Sequence, residues 1–295
     1  MLPVPTSVGW GGPFHRFISP FYRGEAPLNP SRNLLTIAGY DPSSGAGITT
    51  DLSVFASHGF FGTSAITALT VQSTTGVASV HPVEPAILAD TLHVLDEDLP
   101  PAGVKIGMLG SGAVVEVITD YLQRLTCPVV LDTVLRSSSG RALLNPEAMA
   151  AFRGLLQQVD WLTPNVDELS LLTGMPVTTP REIEGAALAL GQQYGAGVIA
   201  TGGHLDTPDD YVLPPGGTAG HWLAGEHIAT RATHGTGCAF SSAFLCGLVE
   251  GKLPVAAASA AKEYVRQGML QAREIGHGKG PLNLLWPLIE KPSGN

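Results

Sequence analysis

The chain has 295 residues, 44% of them hydrophobic and 14% charged, with a formal net charge of -9. That much apolar surface supports a large core and excludes a disordered chain, while the acidic balance excludes a general nucleic-acid binder, whose phosphate contacts need a basic face. Three cysteines, Cys127, Cys238 and Cys246, form no CxxC pair; this excludes a disulfide framework or zinc site and fits a reducing, cytoplasmic setting, and no apolar run reaches the ~18 residues of a membrane span.

Residues 1–32 are rich in proline, glycine and aromatics and lack the basic start and apolar core of a secretory signal. They read as an N-terminal extension ahead of one domain over residues 33–290, which no linker or charge block divides. From Asn33 onward, short apolar runs alternate with longer amphipathic ones, the pattern of an α/β fold with a parallel, doubly wound sheet. The spacing predicts strands over residues 34–38, 63–71, 104–108, 129–132, 161–163 and 198–201. Helices are expected over 48–58, 85–95, 113–125, 146–157 and 180–194, several opened by a first-turn proline. Residues 209–229 read as a hairpin at a sheet edge, and 256–275 as a long final helix. In such sheets ligands bind outside the carboxyl ends of the strands, and Gly, Asn, Asp and Thr cluster just after those ends.

The first such loop is Gly39-Tyr40-Asp41-Pro42-Ser43-Ser44-Gly45-Ala46-Gly47. Its glycines allow close backbone approach to a ligand, although taken alone it reads more readily as a flexible strand-to-helix turn, and it is not a Walker A loop. Near the other end, Thr233-His234-Gly235-Thr236-Gly237-Cys238 precedes a run of small residues read as a helix. Free N–H groups at such a helix start form an anion hole. A thiol there is expected to have a lowered pKa, so Cys238 is either a base for a substrate hydroxyl or a small buried hydrophobe. Asp132 ends an apolar strand and Glu168 follows Thr163-Pro164-Asn165. They read as a magnesium pair or, equally, as a strand-end cap and a first-turn helix residue.

With these motifs in hand, the chain resembles the hydroxymethylpyrimidine/phosphomethylpyrimidine kinases, a thiamine-pathway branch of the ribokinase-like fold. The resemblance runs from about Asn33 to Pro287 and includes the glycine loop from Ala38, Gln72-Ser73-Thr74-Thr75-Gly76-Val77, Lys105-Ile106-Gly107-Met108-Leu109, Leu131-Asp132-Thr133-Val134, Thr163-Pro164-Asn165, Gly202-Gly203-His204 and His234-Gly235-Thr236-Gly237-Cys238. It implies a ribokinase-like three-layer α/β/α sandwich with a mostly parallel sheet. The implied reaction is ATP- and magnesium-dependent phosphorylation of 4-amino-5-hydroxymethyl-2-methylpyrimidine, of its monophosphate, or of both.

The same resemblance assigns Gln72 to the pyrimidine ring, and Gly39, Ala46, Met108 and Val134 to the pocket wall, with Asp51 close by. Asp132 and Glu168 fall in the phosphate and magnesium region. Asn165, Thr201, Gly203 and His234 fall in segments expected to bind the ATP phosphates, and Gly235, Thr236, Gly237 and Cys238 form the anion hole and base. A homodimer is implied too. One departure is Thr201, where this family usually has lysine; Lys105, Arg136 and Lys262 are the candidate compensating cations. Tyr40, where a small residue is common, is expected to reshape the pocket. A pyridoxal or pyridoxine kinase is the second enzyme reading, and a weakly catalytic pyrimidine-binding sensor, supported by Thr201, is the third.

Overall fold

The apolar runs pair into one sheet of nine strands among the residues described by the computed structural model, namely 33–135, 143, 146–202 and 207–289. The expected extension over residues 1–32, together with Arg136 and Gly203, lies outside them. The strands are β1 (Asn33–Tyr40), β2 (Phe61–Ser73), β3 (Gly76–Pro82), β4 (Gly103–Ile106), β5 (Val129–Leu131), β6 (Trp161–Leu162), β7 (Gly197–Ala200), β8 (Asp210–Leu213) and β9 (His221–Leu223). Their order is β3-β2-β1-β4-β5-β6-β7-β8-β9. The pairings from β2 across to β7 are parallel, and β3, β8 and β9 run antiparallel at the two edges.

Alternate strand residues enter two separate cores, as period-2 geometry requires. Val129 and Leu131 join one and Val130 the other. The first core is closed by α2 (Pro85–Asp98), α3 (Gly112–Leu122), α4 (Met149–Leu155), α5 (Val166–Thr173) and α6 (Pro180–Tyr194). The second is closed by α1 (Gly47–Ser57), α7 (Thr236–Val249) and α8 (Pro254–Leu270). Helix α7 is buried along most of its length, which explains its run of small residues, and Phe244 on it meets Trp161 edge-on at 5.0 Å. The result is the expected three-layer sandwich.

Several elements differ from the sequence expectation. The segment around Gln72 is a hairpin, with β2 continuing to Ser73 and turning directly into β3. Helix α5 is set by local chemistry, because the Asn165 side chain accepts from the Glu168 N–H and Glu168 accepts from the Asn165 N–H, a capping box. The expected helix over 146–157 is α4 flanked by 3-10 turns at Pro146–Ala148 and Leu156–Gln158. Helix α8 stops at Leu270 rather than at residue 275. The chain leaves it to lay Gly276 and Gly278 against Thr74 and to pair Gly280 with His234.

One charge pair lies inside the second layer boundary. Lys105 on β4 is fully buried, and its Nζ donates to both oxygens of Asp51 on α1 at 2.9 Å. Thr36 on β1 and Ser242 on α7 donate to the same carboxylate at 2.6 and 2.8 Å. Removing one member of such a pair leaves an uncompensated buried charge, which costs about 3–5 kcal/mol. Lys105→Met should therefore destabilise the protein by roughly that amount in urea unfolding. Adding Asp51→Asn, which keeps bonds to Thr36 and Ser242 without the charge, should recover more than half of the loss.

Candidate active site

Strand order reverses at β1, which has β2 on one side and β4 on the other, and the crevice at such a switch point is where open α/β sheets bind ligands. A cavity of about 1500 Å³ opens there, past the carboxyl ends of the parallel strands. Gly39, Ala46, Gln72, Met108, Val134, Asp132, Asn165, Glu168, Thr201, His234, Gly235, Thr236, Gly237 and Cys238 all line it. Asp51 does not: its carboxylate is committed to Lys105, Thr36 and Ser242 in the core. A buried carboxylate facing a lysine 54 positions away has no signature in a linear sequence.

Two loops from opposite ends of the chain meet at this cavity, and glycine makes the meeting possible. Gly235 begins α7 with φ +82°, and a Cβ there would fall 1.8 Å from the carbonyl oxygen of Gly45. A Cβ on Gly45 would in turn fall 2.1 Å from the His234 ring. Side chains at either position would force the loops apart.

Asp41, passed over in the sequence reading, holds this junction. Its Oδ1 accepts from the N–H and hydroxyl of Ser43 at 2.8 and 2.7 Å, and Oδ2 accepts from the Ala46 N–H at 3.0 Å and lies 2.7 Å from His234 Nε2. Burial pushes its pKa up, yet the bonds from His234 and Ser43 outweigh that and hold it below the ordinary value. His234, expected among phosphate-binding residues, thus faces Asp41, and its Nε2 also lies 2.9 Å from the Gln72 side chain. The signal that could have found Asp41 is its Asx-type position, two residues before Ser43, at the head of a glycine loop.

The opposite wall is acidic. Asp132 lies 4.0 Å from Lys105 Nζ, and Ser241 approaches the same Oδ2 at 3.5 Å. Glu168 accepts from the Thr133 hydroxyl at 3.0 Å and from the N–H groups of Leu135 and Asn165 at 3.3 and 3.1 Å. Burial, then the neighbouring Asp132, push Glu168 up to about 8 against those bonds. Thr163, buried on the same cavity wall, has a hydroxyl without a hydrogen-bond partner in the described structure. No group of three or more His, Cys, Asp or Glu side chains capable of holding a metal occurs among the described residues.

The Cys238 thiol departs from expectation. Helix-start geometry predicted a lowered pKa, but burial pushes it up to about 12. Lys105 and the Gly47 N–H favour the thiolate, whereas Asp132 and Asp51 oppose it, so enclosure and acidic neighbours outweigh the helix terminus. Of the cations considered as partners for Thr201, Lys105 is committed to Asp51. Lys262 lines the cavity and donates to Asp210 Oδ2 and the Pro208 carbonyl, both at 2.7 Å. Asp210 Oδ1 accepts from the Gly202 N–H at 3.0 Å, which ties Lys262 to the loop that follows Thr201.

With a pKa of about 12, Cys238 should be alkylated by iodoacetamide at pH 8 far more slowly than a free thiol. Asp132→Asn removes one opposing charge and should accelerate that alkylation, followed by peptide mass spectrometry; an unchanged or slower rate would show that Asp132 does not hold the thiol neutral.

This geometry can be set beside known proteins. A family profile described as phosphomethylpyrimidine kinase matches residues 41–283. The hydroxymethylpyrimidine/phosphomethylpyrimidine kinase of Escherichia coli K12 is 40% identical over 260 residues, covering 85% of this chain and 96% of that protein. A crystal structure of phosphomethylpyrimidine kinase from Clostridium difficile 630 is 32% identical with a TM-score of 0.71, covering 79% of this chain and 97% of that one. The pyridoxal kinase of Staphylococcus aureus in complex with ADP is 26% identical with a TM-score of 0.79, covering 86% and 93%. Matched along nearly its whole described length and at this level of identity, the chain belongs to the phosphomethylpyrimidine kinase family.

Proposed function

We propose that this chain uses ATP to phosphorylate the hydroxymethyl group of 4-amino-5-hydroxymethyl-2-methylpyrimidine, and then the resulting monophosphate, in thiamine diphosphate synthesis. The observation that carries this reading is the convergence of Gln72 and Cys238 on one cavity at the sheet switch point, in a chain 40% identical to a kinase named for both steps. Gln72 offers an amide that both donates and accepts, which suits a ring nitrogen beside an amino group. Gly235, Thr236 and Gly237 open α7 without a side-chain cap, which leaves N–H groups for the moving phosphoryl group. ADP bound to the S. aureus neighbour supports a nucleotide in the same fold.

An excess of buried acid and an orphan hydroxyl suit a hard cation, and Asp132, Glu168 and Thr163 would hold magnesium. When bound, the ion would neutralise these carboxylates and the transferring phosphate charge. Lys105 and the Gly47 N–H favour the Cys238 thiolate against burial, Asp132 and Asp51, and that sulfur takes the substrate hydroxyl proton as transfer proceeds. Lys262 is the cation best placed to serve the Thr201 loop. The apolar side chains of Leu69 and Val71 are exposed two residues apart on one face of β2 and support a homodimer through this face.

A pyridoxal kinase reading is favoured by one observation, the higher TM-score of 0.79 against the S. aureus enzyme. Coupled assays with each ring will separate the two. The pyrimidine should be turned over with the higher kcat/KM, and Cys238→Ala should lower kcat at least 100-fold, the lower range for loss of a general base. Binding of the pyrimidine without any ATP turnover would instead identify a sensor.

The metal site has its own readout. Because Glu168 is raised from 4.5 to about 8, the native state binds more protons than the unfolded chain between those values, so stability falls as pH rises through that window. Magnesium should reduce that fall in thermal melts of the wild type, and Glu168→Gln should make it smaller without metal. For the assembly, sedimentation should show a dimer that Val71→Asp converts to monomer.

A further inference from the structure

The side chains of Asp41, His234 and Gln72 come from three separate motifs and form one line of contacts ending in the cavity. Asp41 Oδ2 only accepts, so the His234 Nε2 that faces it at 2.7 Å carries a proton. The atom of Gln72 lying 2.9 Å from that Nε2 is its own Nε2, which also only donates. Two donors facing each other is a conflict. A second conflict stands at the other end of the amide: Thr70 Oγ1 faces both Gln72 Oε1 at 3.3 Å and the Tyr40 carbonyl at 3.0 Å, with one proton for two acceptors.

A half-turn of the Gln72 amide resolves both conflicts at once, and the two ends of an amide differ only in their hydrogen-bonding partners. Oε1 then accepts from the His234 N–H, which it shares with Asp41 in a three-centre bond. The NH2 then donates to Thr70 Oγ1, which keeps its own proton for Tyr40. One carbonyl lone pair and one N–H remain for a ligand, and their order along the wall is set by Asp41 through His234.

We infer that Asp41 and His234 are positioning residues that fix the polarity of the Gln72 amide, and so select a ring edge that carries an amino donor beside a nitrogen acceptor. This rests on the kinase reading above and deepens it. An aminopyrimidine edge has a fixed donor and a fixed acceptor, so it binds an amide in one sense only. The hydroxyl of a hydroxypyridine rotates to donate or accept, so that ring draws no advantage from a locked amide. The ring of His234 is seated against Gly45, where a Cβ would fall 2.1 Å from it.

The test is a double-mutant cycle on hydroxymethylpyrimidine and pyridoxal. His234→Phe keeps a ring against Gly45 but removes the N–H, and Gln72→Ala removes the amide. His234→Phe should raise KM for the pyrimidine roughly fivefold, the worth of about one hydrogen bond, with the change falling on KM rather than kcat. The preference for pyrimidine over pyridoxal should fall by the same factor. In the Gln72→Ala background the histidine change should add nothing, and His234→Gln, which retains an N–H donor, should restore part of the preference. Additive effects, or an unchanged preference, would overturn the inference. If His234→Phe does not fold, His234→Leu takes its place. Should the wild type turn over neither ring, the kinase reading fails by itself; the same cycle is then read on the dissociation constants of the two rings by calorimetry, and equal or absent binding overturns this inference too.

Discussion

The buried ion pair between Lys105 and Asp51 is the constraint on which the rest of the architecture depends. It sits where β1, β4, α1 and α7 meet, and each of these contributes a group: Thr36, Lys105, Asp51 and Ser242. A buried lysine costs several kcal/mol to desolvate unless a carboxylate answers it, so the four elements are held to one register by the need to keep that answer in place. The helices carrying the two glycine loops at the cavity, α1 and α7, are both fixed by this network.

The same pair sets the charge at the cavity. With Asp51 satisfied by Lys105, Asp132 has the lysine at 4.0 Å as a distant rather than a dedicated partner. Burial raises Asp132 and Glu168 against what the lysine and local hydrogen bonds recover, and with their charges beside it Cys238 is raised too. An acidic, enclosed wall of this kind is poised to receive positive charge with its ligand. The opposite wall is built on another principle. Asp41 is held below its ordinary pKa by donors from its own loop and from His234, so it organises hydrogen-bonding groups around Gln72. One side of the cavity is thus acidic, and the other presents hydrogen-bonding groups ordered by Asp41.

Thr201 lines the cavity and forms a parallel bridge with Asn165. Lys262, drawn to Asp210 and through it to the Gly202 N–H, brings positive charge from a different element to the loop that Thr201 begins. A change at one sequence position is therefore read in the structure as a question about α8, and the cluster of Lys262, Asp210 and Gly202 is where its answer lies.

The family resemblance supplied Gln72, Met108, Val134 and Asn165, which line the cavity, and the sequence by itself determined the strands and helices with strong periodicity and the glycine loops. Those features are local: alternation, first-turn prolines and glycine runs each leave a mark within a few residues. The hairpin at Gln72 escaped, because a strand partly exposed at an edge lacks clear alternation. Asp51, Asp41 and the direction of the Cys238 shift were decided only in three dimensions. Asp51 and Asp41 act on partners 54 and 193 positions away, and the thiol answers to enclosure and to carboxylates brought in from other elements. A helix terminus can be read from sequence, but the dielectric and the charges packed around it exist only once the chain has folded.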